Sequence, residues 1–321
     1  MNAPKYRQEL PQLAGQRLIT DGGLETTLIF HDGVDLPCFA SFVLLRDRAG
    51  ERRLWDYYAA YAKLARDYGR GFLAETPTWR ANPDWGEKLG YSSDALAAIN
   101  AESVEFLVRL RQAFETPATP IVISGNIGPR GDGYRSGDMM SPDEAQAYHA
   151  PQIELFAKSS ADMAAFYTVN YADEALGVAR AAKDAGIPVA ISFTVETDGR
   201  LPSGQPLKDA IVQIDAETDE GPAYYMINCA HPSHFSDVLA ADEPWLSRLL
   251  GIRANASRMS HAELDESETL DDGDPNEFGE DYRRLLARLP QLTVLGGCCG
   301  TDHRHVARVA EACRALETGT A

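Results

Sequence analysis

Leu292-Thr293-Val294-Leu295-Gly296-Gly297-Cys298-Cys299-Gly300 is the stretch whose reading decides the rest of the chain. Its aliphatic and β-branched start predicts a strand over Leu292 to Leu295, and the glycines that follow allow tight or left-handed backbone where two adjacent cysteines stand. Neighbouring side chains on a regular strand point to opposite faces, so Cys298 and Cys299 serve one centre only where the strand has stopped being regular. A second strand-like run, Ala223 to Cys229, ends in a third thiol. Three thiolates from two strand ends suffice to hold one zinc ion with its fourth tetrahedral position open. On these residues alone, core packing or redox chemistry of the vicinal pair stays open, because standard zinc spacings separate their cysteines.

Outward from that stretch the chain alternates. Strands are expected at Arg17 to Gly23, Gly71 to Thr76, Pro120 to Ser124, Met163 to Val169, Pro188 to Val195, Ala223 to Cys229, Leu250 to Ala254 and Leu292 to Leu295. Helical patterns fall between them at Leu54 to Tyr68, Asp94 to Phe114, Asp173 to Ala185, and from Ser141, Leu207, Phe278 and Arg304 onward. Ser141-Pro142-Asp143-Glu144 has the layout of a capping box. Strand-then-helix units in this number predict an α/β fold, a single (β/α)8 TIM barrel, whose active site lies at the C-terminal ends of the strands. Residues 1–321 are read as that one domain, with a polar N-terminal extension over 1–15 and an acidic loop over 259–280 at the barrel mouth, an exposed insertion or a lid.

A chain of 321 residues suits a barrel of about 250 residues plus insertions. The net charge of −18 and the absence of a basic stripe exclude nucleic acid as a partner. No signal-peptide layout or long apolar run appears, so the expectation is a cytoplasmic protein with no membrane partner. Five cysteines do not form a disulfide framework in a long chain. Cys38 and Cys313 lie outside glycine-rich strand ends and are read as small core hydrophobes.

Asp21-Gly22-Gly23-Leu24-Glu25-Thr26, Gly128-Pro129, Asn228-Cys229 and Gly296-Gly297-Cys298-Cys299-Gly300-Thr301, in this order, resemble the homocysteine S-methyltransferase family over nearly the whole chain. The resemblance implies a zinc-dependent barrel that moves a methyl group to the thiol of homocysteine, giving methionine, with Cys229, Cys298 and Cys299 as zinc ligands and catalytic centre. It further implies that Asp21, Gly22 and Gly23 hold the amino acid part of the acceptor and that Asn255 matches a family asparagine. One departure stands out. Tyr167 occupies the place where many members carry a glutamate thought to bind the acceptor's amino group, and a phenol supplies no negative charge at neutral pH. Either another acidic group serves, or the acceptor is a different small thiol.

Glu25 and Glu75 lie near the predicted rim as structural carboxylates, and His231 as a hydrogen-bonded loop residue rather than a ligand. The methyl donor, whether S-methylmethionine, S-adenosylmethionine or betaine, leaves no mark in the residues, nor does the oligomeric state. A non-catalytic zinc-thiolate protein and a redox enzyme are the rival readings.

Overall fold

Parallel strands β1 Leu18–Ile19, β2 Gly71–Glu75, β3 Ile121–Ile127, β4 Met163–Val169, β5 Val189–Phe193, β6 Tyr224–Asn228, β7 Leu249–Ala254 and β8 Val294–Gly297 pair in sequence order, and β8 returns to β1 to close the barrel. The computed structural model describes residues 3–240 and 242–317. Around the barrel run α1 Arg48–Asp67, α2 Ser93–Phe114, α3 Pro142–Lys158, α4 Ala172–Ala185, α5 Leu207–Thr218, α6 His261–Glu266, α7 Pro275–Arg288 and α8 His303–Glu317. The architecture is the expected (β/α)8 barrel. After β6 the described residues at the outer position form the one-turn helix Pro232–Phe235 and short 3₁₀ turns.

Local signals explain the helix ends. Ser141 and Glu144 form the capping box that opens α3, each bonding the other's backbone N–H. Gly186, at φ 69°, closes α4 in the left-handed conformation that costs glycine least. The two-residue period of the strands then sorts the core. Ile19, Phe72, Ala74, Ile123, Phe166 and Ile191 face the helices. Leu18, Leu73, Val122, Met163, Ala190, Met226 and Val294 fill the barrel interior.

The N-terminal extension closes the bottom of the barrel instead of trailing from it. Leu10 joins the interior cluster, and the backbone N–H groups of Lys5 and Tyr6 bond the Asp162 carboxylate. That carboxylate also takes the Arg111 guanidinium at 2.7 Å, a pair removed from water. Arg7 donates to the carbonyls of Phe156, Ala157, Ser159 and Ala161 at the end of α3.

Several sequence expectations shift. β3 continues through Gly125, Asn126 and Ile127, beyond Ser124 where the strand is expected to end. β8 likewise includes Gly296 and Gly297. Neither of these glycines has a positive φ; of the three in the stretch only Gly300 does, at 78°. Their role is space. A Cβ on Gly297 would stand 1.9 Å from Thr301 Oγ1, and one on Gly296 2.0 Å from Thr20 Oγ1. Gly297→Ala is therefore expected to destabilise the barrel by about 1–3 kcal/mol, through displacement of Thr301 and the turn behind it. Chemical denaturation with an unchanged midpoint would refute that reading.

The acidic segment is not a bare loop. Ser260 and Glu263 form a second capping box that opens α6, and Asp274 caps α7. Cys38 is exposed at φ 55°, so it is not a core residue, whereas Cys313 is buried as expected. Among the described residues no helix is long and apolar enough to cross a membrane.

Candidate active site

The inward-facing sequence of each strand changes from aliphatic to polar at its C-terminal end. Two residues beyond Leu73 comes Glu75, beyond Ala165 Tyr167, beyond Met226 Asn228, and beyond Gly251 Arg253. These groups floor a cavity of about 390 Å³ at the barrel mouth, walled by the strand-end loops and by the segment from Leu264 to Asp271. The Sγ atoms of Cys229, Cys298 and Cys299 line it and all lie within 4.8 Å of one another. Among the described residues they form the one cluster of three or more potential ligands with that spacing.

Broken strand geometry assembles them. Cys229 follows Asn228 and would face outward on a continued strand; its φ of 53° turns it inward. This conformation is held at its carbonyl, which accepts from Asn255 Nδ2 at 3.1 Å, His261 Nε2 at 2.8 Å and Thr194 Oγ1 at 3.3 Å. Cys298 N–H bonds Ala254 O, and Cys299 O accepts from Ala256 N–H, so the two cysteines are pinned to the end of β7. Thr301 Oγ1 closes the turn on Cys298 O at 2.7 Å.

Each sulfur also faces one donor. Thr168 Oγ1 lies 4.0 Å from Cys229 Sγ, Asn228 Nδ2 3.9 Å from Cys298 Sγ, and Tyr134 Oη 3.7 Å from Cys299 Sγ. Such donors stabilise thiolates and orient them. Burial pushes the Cys299 thiol up, so its deprotonation at neutral pH calls for a cation. Cys229 and Cys298 are joined as a disulfide and Cys299 is free. Reduction of the disulfide, by two electrons and two protons, delivers three thiols to one point. Three soft sulfur donors suit a thiophilic ion such as zinc.

Beside the sulfurs lies a buried charged floor. Arg253 Nη2 bonds Asp21 Oδ1 at 2.5 Å and Gly22 O at 3.3 Å, while its Nε bonds Gly297 O at 3.1 Å. Burial works against the guanidinium's charge, but Asp21 together with Tyr167 and Glu75 more than restores it. Tyr57 Oη donates to the other oxygen of Asp21 at 3.2 Å. Gly23 N–H is committed to Thr301 O. Tyr167 Oη donates to Glu75 Oε1 at 2.8 Å, and burial, partly offset by Arg253 and that phenol, raises the Glu75 carboxyl to about 7. Glu25, also in the cavity wall, accepts from Ser41 Oγ and is raised by burial.

The sequence-predicted residues Asp21, Gly22, Gly23, Tyr167, Asn255 and the three cysteines thus meet at one cavity. His231 does not join them: its Nδ1 caps the helix Pro232–Phe235 by accepting from Ser233 N–H. Burial lowers it to about 4. Three residues were not anticipated. Arg253 sits inside a strand with no motif around it, and Tyr134, from a loop, stacks at 4.1 Å on His261. The second capping box, at Ser260, is the local signal that would have located His261, the first residue of the helix it opens.

Comparison with known proteins agrees with this geometry. The family model described as homocysteine S-methyltransferase matches residues 18–313. The selenocysteine Se-methyltransferase of Brassica oleracea var. italica is 24% identical over 92% of this chain and 88% of its own length. Homocysteine S-methyltransferase 4 of Zea mays is 25% identical over 95% and 91%. The metallated crystal form of the homocysteine methyltransferase MmuM from Escherichia coli superposes with a TM-score of 0.72 over 94% of this chain and 98% of that one, at 19% identity, a likeness of fold. The chain belongs to the homocysteine S-methyltransferase family of methyltransferases.

Proposed function

We propose that this methyltransferase is zinc-dependent and moves a methyl group from a small onium donor to the thiol of homocysteine, giving methionine. The observation that carries the reading is the trio of sulfurs from β6 and β8, within 4.8 Å of one another at the floor of the mouth cavity. Zinc held there supplies a deprotonated acceptor thiol at neutral pH. The chain's own residues do the rest. Thr168, Asn228 and Tyr134 aim their donors at the three cysteine sulfurs, and the hydrogen bonds on Cys229 O keep that ligand turned inward.

Phe30, Phe39, Trp79 and Tyr134 line the cavity, and aromatic faces favour a positively charged sulfonium or quaternary ammonium donor. Transfer is an in-line displacement: a sulfur lone pair of the acceptor forms the new S–CH3 bond as the donor's C–S⁺ or C–N⁺ bond breaks. The breaking bond's electron pair leaves with the donor, so positioning supplies much of the rate. The segment from Leu264 to Asp271 forms one wall of the cavity and serves as its lid, keeping water from the methyl in transit.

Zinc K-edge absorption on the reduced, zinc-loaded protein tests the reading without a known donor. The expected result is a change from three sulfur ligands plus one lighter atom to four sulfurs when homocysteine is added. A three-sulfur site indifferent to homocysteine would remove that acceptor. A fourth position already filled by a protein group would favour a non-catalytic zinc-thiolate protein.

A further inference from the structure

Asp21, the carboxylate nearest the glycine turn, has little left to offer a ligand. One oxygen is bonded by Arg253 and the other by Tyr57, and the pair is buried. Glu75 stands in the opposite condition. It is 2% exposed, it lines the mouth cavity, and its Oε2 has no hydrogen-bond partner. A buried carboxyl oxygen left without a donor costs free energy that a native site recovers from a ligand or water.

One neighbour shares the deficit. Ser124, the register partner of Glu75 on β3, turns a hydroxyl toward that carboxyl and helps lower it, and Asn126, two residues on and therefore on the same inward face, has an unpartnered Oδ1. Asn126 also lines the cavity. Glu75 Oε2 and Asn126 Oδ1 are thus two acceptors on one side of the floor without a geometric partner, and the ligand group that complements acceptors is one with several donors and no lone pair. A primary ammonium is such a group.

We propose that Glu75, assisted by Asn126, is the ammonium-binding subsite of the acceptor pocket and so a specificity-determining residue for aminothiol acceptors. This rests on the thiol-methyltransferase reading above. Tyr167 is then a positioning residue. By donating to Oε1 it fixes the carboxyl with Oε2 free, and it contributes no charge of its own. The negative charge missing from the end of β4 comes from the end of β2. The sulfur cluster follows the C-terminal ends of β6 and β8 and Glu75 ends β2, so an acceptor that spans the mouth meets the sulfur trio at one end and Glu75 at the other.

The test compares homocysteine with 4-sulfanylbutanoate, which keeps the thiol and carboxylate but has hydrogen in place of the amino group. Binding to the reduced, zinc-loaded protein is followed by calorimetry. Wild type is expected to prefer homocysteine by about tenfold or more, and Glu75→Gln to lose most of that preference, since a hydrogen bond to a charged group is worth roughly one to two powers of ten in affinity. Equal weakening of both thiols by Glu75→Gln would assign Glu75 a structural role and overturn the proposal. Loss of the preference in Asp21→Asn and not in Glu75→Gln would overturn it in favour of Asp21. Wild type that binds neither thiol would defeat the methyltransferase reading itself, a failure visible before any variant is made.

A wild-type measurement covers a Glu75→Gln protein that does not fold. The charged groups facing Glu75 are Arg253 and Asp21, and its phenol neighbours Tyr58, Tyr167 and Tyr224 are all pushed up by burial and stay neutral. The preference for homocysteine should therefore grow as pH rises through about 7, where Glu75 ionises, and then level off. A preference independent of pH between 5.5 and 8.5, roughly one and a half units either side of that midpoint, would count against Glu75.

Discussion

Cys298→Ala is expected to abolish metal binding and methyl transfer together, with kcat/KM falling by roughly three orders of magnitude or more, equivalent to about 4 kcal/mol of transition-state stabilisation. The fold should survive. What Cys298 gives the barrel is backbone: its N–H bonds Ala254 O and its carbonyl accepts from Thr301, and alanine keeps both. What it gives the site is one sulfur of three, without which Cys229 and Cys299 are a two-ligand remnant. Metal content by mass spectrometry and thermal melting of the reduced protein check the two halves separately. An active variant without metal would end the zinc reading, and a collapsed melting transition would show that the sulfur holds the fold.

The second large effect is on stability. Arg253→Met removes the guanidinium that satisfies Asp21, Gly22 O and Gly297 O in the buried floor. Removing one partner from a buried pair leaves an uncompensated charge and costs about 3–5 kcal/mol. For a barrel of this size that corresponds to a fall in Tm of about 5–15 °C. The sign of its pH dependence follows from Asp21. Burial already holds the Asp21 carboxyl above its ordinary value against the opposing charge of Arg253, and without that guanidinium, with Tyr57 still donating to it, the carboxyl rises further above its unfolded value. The folded variant then binds the extra proton, so its stability relative to wild type improves as pH falls toward 4 and worsens as pH rises. Asp21→Asn combined with Arg253→Met should recover part of the loss, since the two groups are in contact. An unchanged Tm in Arg253→Met would mean that Asp21 is already neutral in the native protein.

Arg253 also explains why the acceptor contacts were harder to read than the sulfur cluster. The Asp21-Gly22-Gly23 turn suggests a carboxylate waiting for an ammonium, but a strand 232 positions away supplies the cation first. Tyr167 is similar. In sequence it marks a missing charge, and in the structure it leads to Glu75 on a strand 92 positions away. Cys38 was misjudged for the opposite reason. Nothing local distinguishes a buried thiol from one placed at positive φ in an exposed turn.

Strand order and direction, the capping box at Ser141, the helix stop at Gly186 and the cysteines that come together are all legible in the residues. These follow from short-range rules: the period of apolar residues, the donors a helix end must satisfy, and the irregular backbone that two adjacent thiols need to reach one centre. The tertiary structure alone decided which charges meet. Closing eight strands brings Asp21, Glu75, Tyr167 and Arg253 from β1, β2, β4 and β7 into one floor away from water. There, burial and pair contacts set which carboxylate is spent and which is free. Those distances depend on barrel register and closure, which no local window of sequence contains.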